Sequence, residues 1–414
     1  MTHAATRPER PRWMRWAWVV AASMLINTSY GTLSYAFSVL VTQSGPGGEF
    51  GKGAVSIGFG LALLVSGVIA IATGAVADLF GTRRLMAAGS AVGALGLCLL
   101  AACQSTWQML VVMVVLIGPA MAATFYEPIY VLMNRWFSAD ERPRAYGVLT
   151  LLSGFSVTIF TPLTRWLVAE LGWREAVVVL GGVLLAVGLV VAALIREEMP
   201  VVTARQRHSP ATFLLETRDG LRHTTKAFWA FTLSFFVATT AMSGFSFHMI
   251  SQLETRGFDE TSVASAIAIT GIVSLPARFL LPLLSVRLPG AVLLAFALVL
   301  VGTGAWVASM ADEWWQVWVY IAVFGAAFGA VYPLRALVTA ERFAGPYFGR
   351  VIGIQALFVA LGRAAGPVVI GAIGTDQASY EVGFRIAAVT LAITAFACWW
   401  TMRRRRGTGH VVAA

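Results

Sequence analysis

Apolar residues along this chain fall in long, nearly unbroken runs separated by short polar stretches. They show neither the two-residue alternation of half-buried strands nor the single stripe of surface helices. A helix needs roughly 20 apolar residues to cross the hydrocarbon core of a bilayer. Twelve runs approach or exceed that length: 16–41, 54–77, 85–103, 107–134, 145–169, 174–195, 227–252, 261–286, 291–310, 315–338, 349–373 and 381–402. The eighth and eleventh are interrupted by Arg278 and Arg363, which helices facing other helices or water tolerate. The first run exceeds the roughly 7–15 residues of a signal-peptide core, so it is expected to remain as the first span. The predicted fold is therefore an all-α membrane protein with 12 transmembrane helices.

Composition strengthens that picture. Hydrophobic residues make up 58% of the chain and charged residues 12%, about half the share usual in soluble domains. The net charge of +10 is carried by short loops. One alternate set of loops holds Arg7, Arg10, Arg12, Arg15, Arg83, Arg84, Arg135, Arg142, Arg144, the basic residues of 196–226, Arg287, Arg342, Arg350 and the cluster from Arg403 to Arg406. The other set holds Lys52, Arg174 and Arg256. This bias predicts both termini in the cytoplasm, which requires an even number of spans. The arginine cluster directly follows Trp399 and Trp400, so it reads as a lipid-headgroup anchor rather than a nucleic-acid patch. Trp13, Trp16 and Trp18 anchor the first span at the same interface. Cys98, Cys103 and Cys398 lie in or beside apolar runs without metal-ligand spacing, and no disulfide, metal or cofactor is predicted. No zinc-protease, hydrolase-elbow or phosphate-loop motif is present, so the chain does not read as an enzyme.

The longest polar stretch, 196–226, reads as a cytoplasmic linker between two six-helix bundles, 1–195 and 227–414. A weak internal repeat supports the division. Gly118-Pro119-Ala120 is followed by Phe125-Tyr126-Glu127-Pro128, and Gly325-Ala326-Ala327 by Tyr332-Pro333-Leu334-Arg335. Parallel repeats about an axis along the membrane normal are usual in transporters built of two halves.

The loop after the second run carries the sharpest motif: Gly74, three residues, Asp78, two residues, Gly81, then Arg83 and Arg84 after one more. Gly74 permits close helix approach, Gly81 a tight turn, and Asp78 suits a partner arginine or a helix N-terminus. This motif resembles the signature between the second and third spans of the major facilitator superfamily. The resemblance implies a secondary transporter in which the loop braces one half against the other and stabilises the outward-open state. The corresponding stretch 282–290 lacks the Asp.

Within that superfamily, several stretches resemble the monocarboxylate transporters and the related oxalate–formate exchangers. They are Tyr30-Gly31-Thr32-Leu33-Ser34-Tyr35-Ala36-Phe37, Arg142-Pro143-Arg144-Ala145-Tyr146-Gly147, the later Gly172-Trp173-Arg174, and Ala277-Arg278. The resemblance implies that Arg278 binds a substrate carboxylate. It departs at Ser274, where that family has an Asp, and in lacking the acidic residue at the start of the first span. Glu127 stands where that family often has Asn, and Arg363 lies near where the oxalate exchanger has a basic residue.

An arginine at membrane depth costs at least about 2.5–3.5 kcal/mol, so it persists where water or an anion reaches it. Arg278 and Arg363 are accordingly the leading substrate-binding candidates, with Asn27, Tyr30, His248 and Tyr332 as polar contacts; Tyr126, Tyr130 and Gln355 belong to the same class. Glu127 and Arg335 occupy nearly matching repeat positions and are expected to pair as an inner gate, or Glu127 to carry a proton. The expected function is alternating-access transport of a small organic anion, most simply a monocarboxylate with a proton. Anion exchange of the oxalate–formate type is the alternative. A drug exporter fits less well, because the buried charges of the second half are arginines. The expected setting is a monomer in a bacterial inner membrane, surrounded by lipid, with no nucleic-acid partner.

Overall fold

The computed structural model describes residues 11–42, 45–195, 225–345, 347–373 and 377–403. The 196–226 linker, apart from Thr225 and Lys226, lies outside the described residues, as do Arg7, Arg10 and Arg404 to Arg406. All regular structure among the described residues is helical. Eleven helical segments there are long and apolar enough to cross a membrane, from Lys52–Phe80 to Gln377–Met402. The first span completes the twelve as Arg12–Tyr30, a π-helical turn Gly31–Tyr35 and a short helix Phe37–Leu40.

Several helices outrun their apolar stretches. The second span extends to Phe80, the seventh covers Lys226–Glu254 and the tenth Trp314–Phe343. Hydropathy measures the thickness of the hydrocarbon. A helix whose backbone is already hydrogen-bonded internally continues through the headgroups, so its ends lie outside the apolar run.

The chain forms two compact units, Met1–Ser209 with Pro346–Gly353, and Pro210–Gly345 with Ile354–Ala414. The first unit thus holds six spans and the opening residues of the eleventh helix. Within it the third span packs on the sixth, the first on the fifth and the second on the fourth. In the second unit the ninth packs on the twelfth and the eighth on the tenth, which repeats two of those pairings. Small residues mediate the close contacts. A Cβ at Gly188 would strike the Ser90 side chain, and one at Gly302 would come within 3.0 Å of the Ala388 carbonyl. Lipid tails are as apolar as leucine, so close packing rather than hydrophobic expulsion holds such helices together. Large apolar side chains such as Val190, Leu194, Ile393 and Phe396 face outward.

Four spans break stride inside the apolar region. The first does so at Gly31–Tyr35. The fourth carries a π turn at Met113–Ile117 and an extended residue at Phe125. The fifth changes helix at Phe155 and the eighth at Ser274. The apolar runs predict none of these breaks.

Candidate functional site

In the first unit the breaks of three spans meet. The ring of Phe160 fills the place a Cβ on Gly31 would need, just where the first span enters its π turn. Tyr30 stacks on Phe125 with centroids 3.8 Å apart and lies 5.2 Å from Tyr126. Tyr126 and Ser153 share a hydrogen bond of 2.7 Å between their hydroxyls. Asn27 donates from Nδ2 to the Leu152 carbonyl at 3.2 Å, while its own carbonyl accepts from Ser156 Oγ at 2.6 Å. Asn27 and Tyr30 are therefore brought together, and the Asn27 amide joins the first span to the fifth. Glu127 is half-buried in the first turn of the helix Tyr126–Trp136, which the break at Phe125 creates. The first N–H groups of a helix lack intrahelical acceptors, so a carboxylate is favoured there. Irregular backbone at this depth characterises transporter binding regions.

The second unit holds the arginines. Arg278 stands one turn beyond the break at Ser274 and is half-buried. Its stem crosses Gly329 of the tenth span so closely that a Cβ there would come within 2.8 Å of Arg278 Cγ. Arg363 is exposed on the eleventh span. Pro367, four residues on, has no N–H to give the Arg363 carbonyl, and Ser243 Oγ donates to that carbonyl instead at 2.8 Å. His248 Nε2 lies 2.9 Å from the Pro367 carbonyl. A carbonyl only accepts, so this nitrogen carries the proton. The His248 ring also sits 5.6 Å from Tyr380. Arg335 is buried, donates from Nη1 to Gln355 Oε1 at 3.3 Å, and has its guanidinium 5.8 Å from the Phe235 ring, which contacts Tyr332. Tyr332, Arg335 and Gln355 thus form one group, and His248 joins the helix of Arg363. The expected Glu127–Arg335 pair would draw one residue from each unit.

The signature loop builds a second locus inside the first unit. Gly81 has a φ of 89°, a backbone conformation that favours glycine. Asp78 is 6% exposed. Its Oδ1 accepts the Gly349 N–H at 3.0 Å and its Oδ2 the Arg350 N–H at 3.2 Å, so it caps the helix Phe348–Ile373. Arg350 Nη1 stands 3.8 Å and Arg135 Nη2 3.7 Å from the same carboxylate. Arg135 also donates to the carbonyls of Ala77 and Asp78, both at 3.1 Å. A Cβ on Gly74 would collide with the Gly349 carbonyl, and one on Gly353 with the Ala70 carbonyl. Arg83 and Arg84 are exposed. Arg135 and Arg350 carry no mark of this role in the sequence, where they count only as loop charges. A glycine pair spaced like Gly349 and Gly353 opening an apolar run was the one available signal.

Residues 17–311 and 290–413 match the family model of the Major Facilitator Superfamily. Monocarboxylate transporter 4 of Gallus gallus is 25% identical over 392 residues, covering 92% of this chain and 81% of that one. Monocarboxylate transporter 13 of Bos taurus is 24% identical, covering 91% and 87%. Among solved structures, the human organic anion transporter TETRAN superposes with a TM-score of 0.73 at 15% identity, covering 94% of this chain and 100% of that one. The fucose:proton symporter of E. coli superposes with a TM-score of 0.72 at 13% identity, covering 94% and 99%. These structures share the fold. With its apolar helices and a family match that runs from the first span to the last, this multi-pass integral membrane protein belongs to the Major Facilitator Superfamily of transporters.

Proposed function

We propose that this transporter carries small organic monocarboxylates together with protons by alternating access, with Arg278 gripping the carboxylate. The observation that carries the reading is Arg278 itself, a guanidinium inside an apolar span, set one turn past a helix break and laid over Gly329. A guanidinium holds a carboxylate through two parallel hydrogen bonds, which compensates both charges at depth. The relatives named monocarboxylate transporters support the same cargo class. Glu127, half-buried at the start of a half-helix, is the carboxylate available for the proton. Asn27, Tyr30, Tyr332 and His248 complete the polar lining.

Alternating access needs a device that opens and closes. The Asp78 cap on the eleventh helix supports that role, because the same helix continues from Gly353 into the second unit. Glu127, at the start of a half-helix, and Arg335, buried in the tenth span, serve as the gating residues. Both termini face the cytoplasm and the carrier works as a monomer. The exposure of Arg363 favours one further reading. Two engaged arginines suit a dianion, as in dicarboxylate–monocarboxylate exchange.

The test is a proteoliposome panel of mono- and dicarboxylates with and without a pH gradient, repeated for Arg278→Ala. Saturable monocarboxylate uptake driven by an inward proton gradient, and lost in Arg278→Ala, is the expected result. Uptake that survives Arg278→Ala with unchanged KM refutes the assignment, and uptake that requires an internal dianion favours exchange.

A further inference from the structure

The tenth and eleventh spans enclose a group of polar side chains distinct from Arg278. Arg335 and Gln355 are each 2% exposed and Thr339 is fully buried. Gln355 Oε1 accepts from Arg335 Nη1 at 3.3 Å and faces Thr339 Oγ1 at 2.8 Å. A guanidinium only donates, so the amide oxygen must be the atom turned toward Arg335. That orientation commits Nε2 to point elsewhere. It is buried and donates to no atom of the described residues. A buried donor is unfavourable until something accepts from it.

The surroundings narrow what that acceptor is. The Arg335 guanidinium lies 5.8 Å from the Phe235 ring, and Phe235 meets Tyr332 edge-on at 6.1 Å. Tyr332 in turn contacts Phe328. A cation and an amide N–H beside an aromatic wall suit an anion with a planar acceptor face and an apolar remainder, which is a carboxylate. Arg335 sits about two turns before the end of the tenth helix, and Gln355 about two turns into the eleventh. Both therefore lie toward the end of the bundle whose loops carry the basic residues.

We propose that Arg335 and Gln355 form a second carboxylate subsite, separate from Arg278, which holds the anion on the cytoplasmic side of its path. It rests on the organic-anion reading above. Arg278 takes the carboxylate in one state, and Arg335 with Gln355 Nε2 takes it as the inner side opens.

The decisive variants are Gln355→Glu and Gln355→Met. The first offers Arg335 a built-in carboxylate that competes with the cargo. The second keeps the size and removes the donor. Uptake of radiolabelled lactate, pyruvate, acetate and benzoate is measured in right-side-out and inside-out vesicles, alongside the thermal midpoint of the purified protein. Gln355→Glu is expected to raise KM at the cytoplasmic face about tenfold, as for loss of one charge-assisted hydrogen bond, without lowering the midpoint and with KM at the outer face little changed. An unchanged cytoplasmic KM, or an equal rise at both faces, overturns the subsite while leaving the carrier reading intact. Should Gln355→Glu fail to fold, Gln355→Met is read by the same two criteria. A wild-type protein that moves none of the four anions overturns both readings together.

Discussion

Replacing Asp78 by Asn removes one charge and one acceptor from the start of the eleventh helix and changes almost no volume. Asp78 Oδ1 and Oδ2 each accept a backbone N–H, at 3.0 and 3.2 Å. Hydrogen bonds to an ionised acceptor contribute about 1.5–3 kcal/mol, against about 1 kcal/mol for neutral ones. An Asn keeps one acceptor, weakens it to the neutral value and turns an NH2 group toward the other N–H. Arg350, whose side chain is 3% exposed, loses the carboxylate 3.8 Å from its Nη1. Stripping one partner from a buried pair costs about 3–5 kcal/mol when the contact is tight, and less at this separation. Counting the overlapping contributions once, the local loss is about 2–4 kcal/mol. That corresponds to roughly a 30- to 1,000-fold shift in the opening equilibrium of the cap. Hydrogen–deuterium exchange reads it directly, because the two amides that should lose protection are those of Gly349 and Arg350. Gly74→Ala supplies an independent arm. It leaves the charge in place but drives a Cβ against the Gly349 carbonyl, and such overpacking costs about 1–3 kcal/mol. The same amides should loosen, and the double variant should show less than the summed effect because the sites touch. Undiminished protection of Gly349 and Arg350 in a folded Asp78→Asn protein would refute the capping account.

Gly81→Ala should lower thermal stability by about 1–3 kcal/mol, since its φ of 89° lies in a region that side chains disfavour; an unchanged unfolding midpoint would contradict this. Two arginine clamps at matching loops should respond unequally. Arg174 meets Glu49 at 2.5 Å with the two side chains 34% and 39% exposed, so Glu49→Gln should cost less than about 1 kcal/mol. Arg256, whose side chain is 3% exposed, pairs with Glu381 and also binds Asp312 and the Ser309 carbonyl. Glu381→Gln leaves Arg256 its Asp312 partner but removes a charge-assisted hydrogen bond from a buried guanidinium, and should therefore cost about 1.5–3 kcal/mol. Equal midpoint shifts in the two variants would remove burial as the deciding factor. Glu127→Gln should abolish the stimulation of uptake by external acid while leaving the protein folded. An unaltered pH profile takes Glu127 out of the proton route.

The places where the sequence reading fell short share a cause. The run 107–134 announces a span, yet nothing in it marks the π turn at Met113–Ile117 or the extended Phe125. Over five residues, α and π periodicities cannot be told apart in an apolar run. The break is stabilised from outside, by the Tyr30 ring stacked on Phe125. Asp78 was legible as a capping carboxylate, but the helix it caps lies 271 residues away. His248 and Asn27 were legible as intramembrane polar groups, and their backbone acceptors, Pro367 and Leu152, were not.

Membrane residence, the number of spans and the family signature were decided along the chain itself. Transfer into lipid is close to additive over each run of residues, so a local reading suffices. The burial of Arg335 beside Gln355, the seating of Arg278 on Gly329 and the capping of the eleventh helix by Asp78 were decided only in three dimensions. Each depends on helices distant in sequence approaching within hydrogen-bond or van der Waals reach, and that approach is a property of their packing rather than of any one segment.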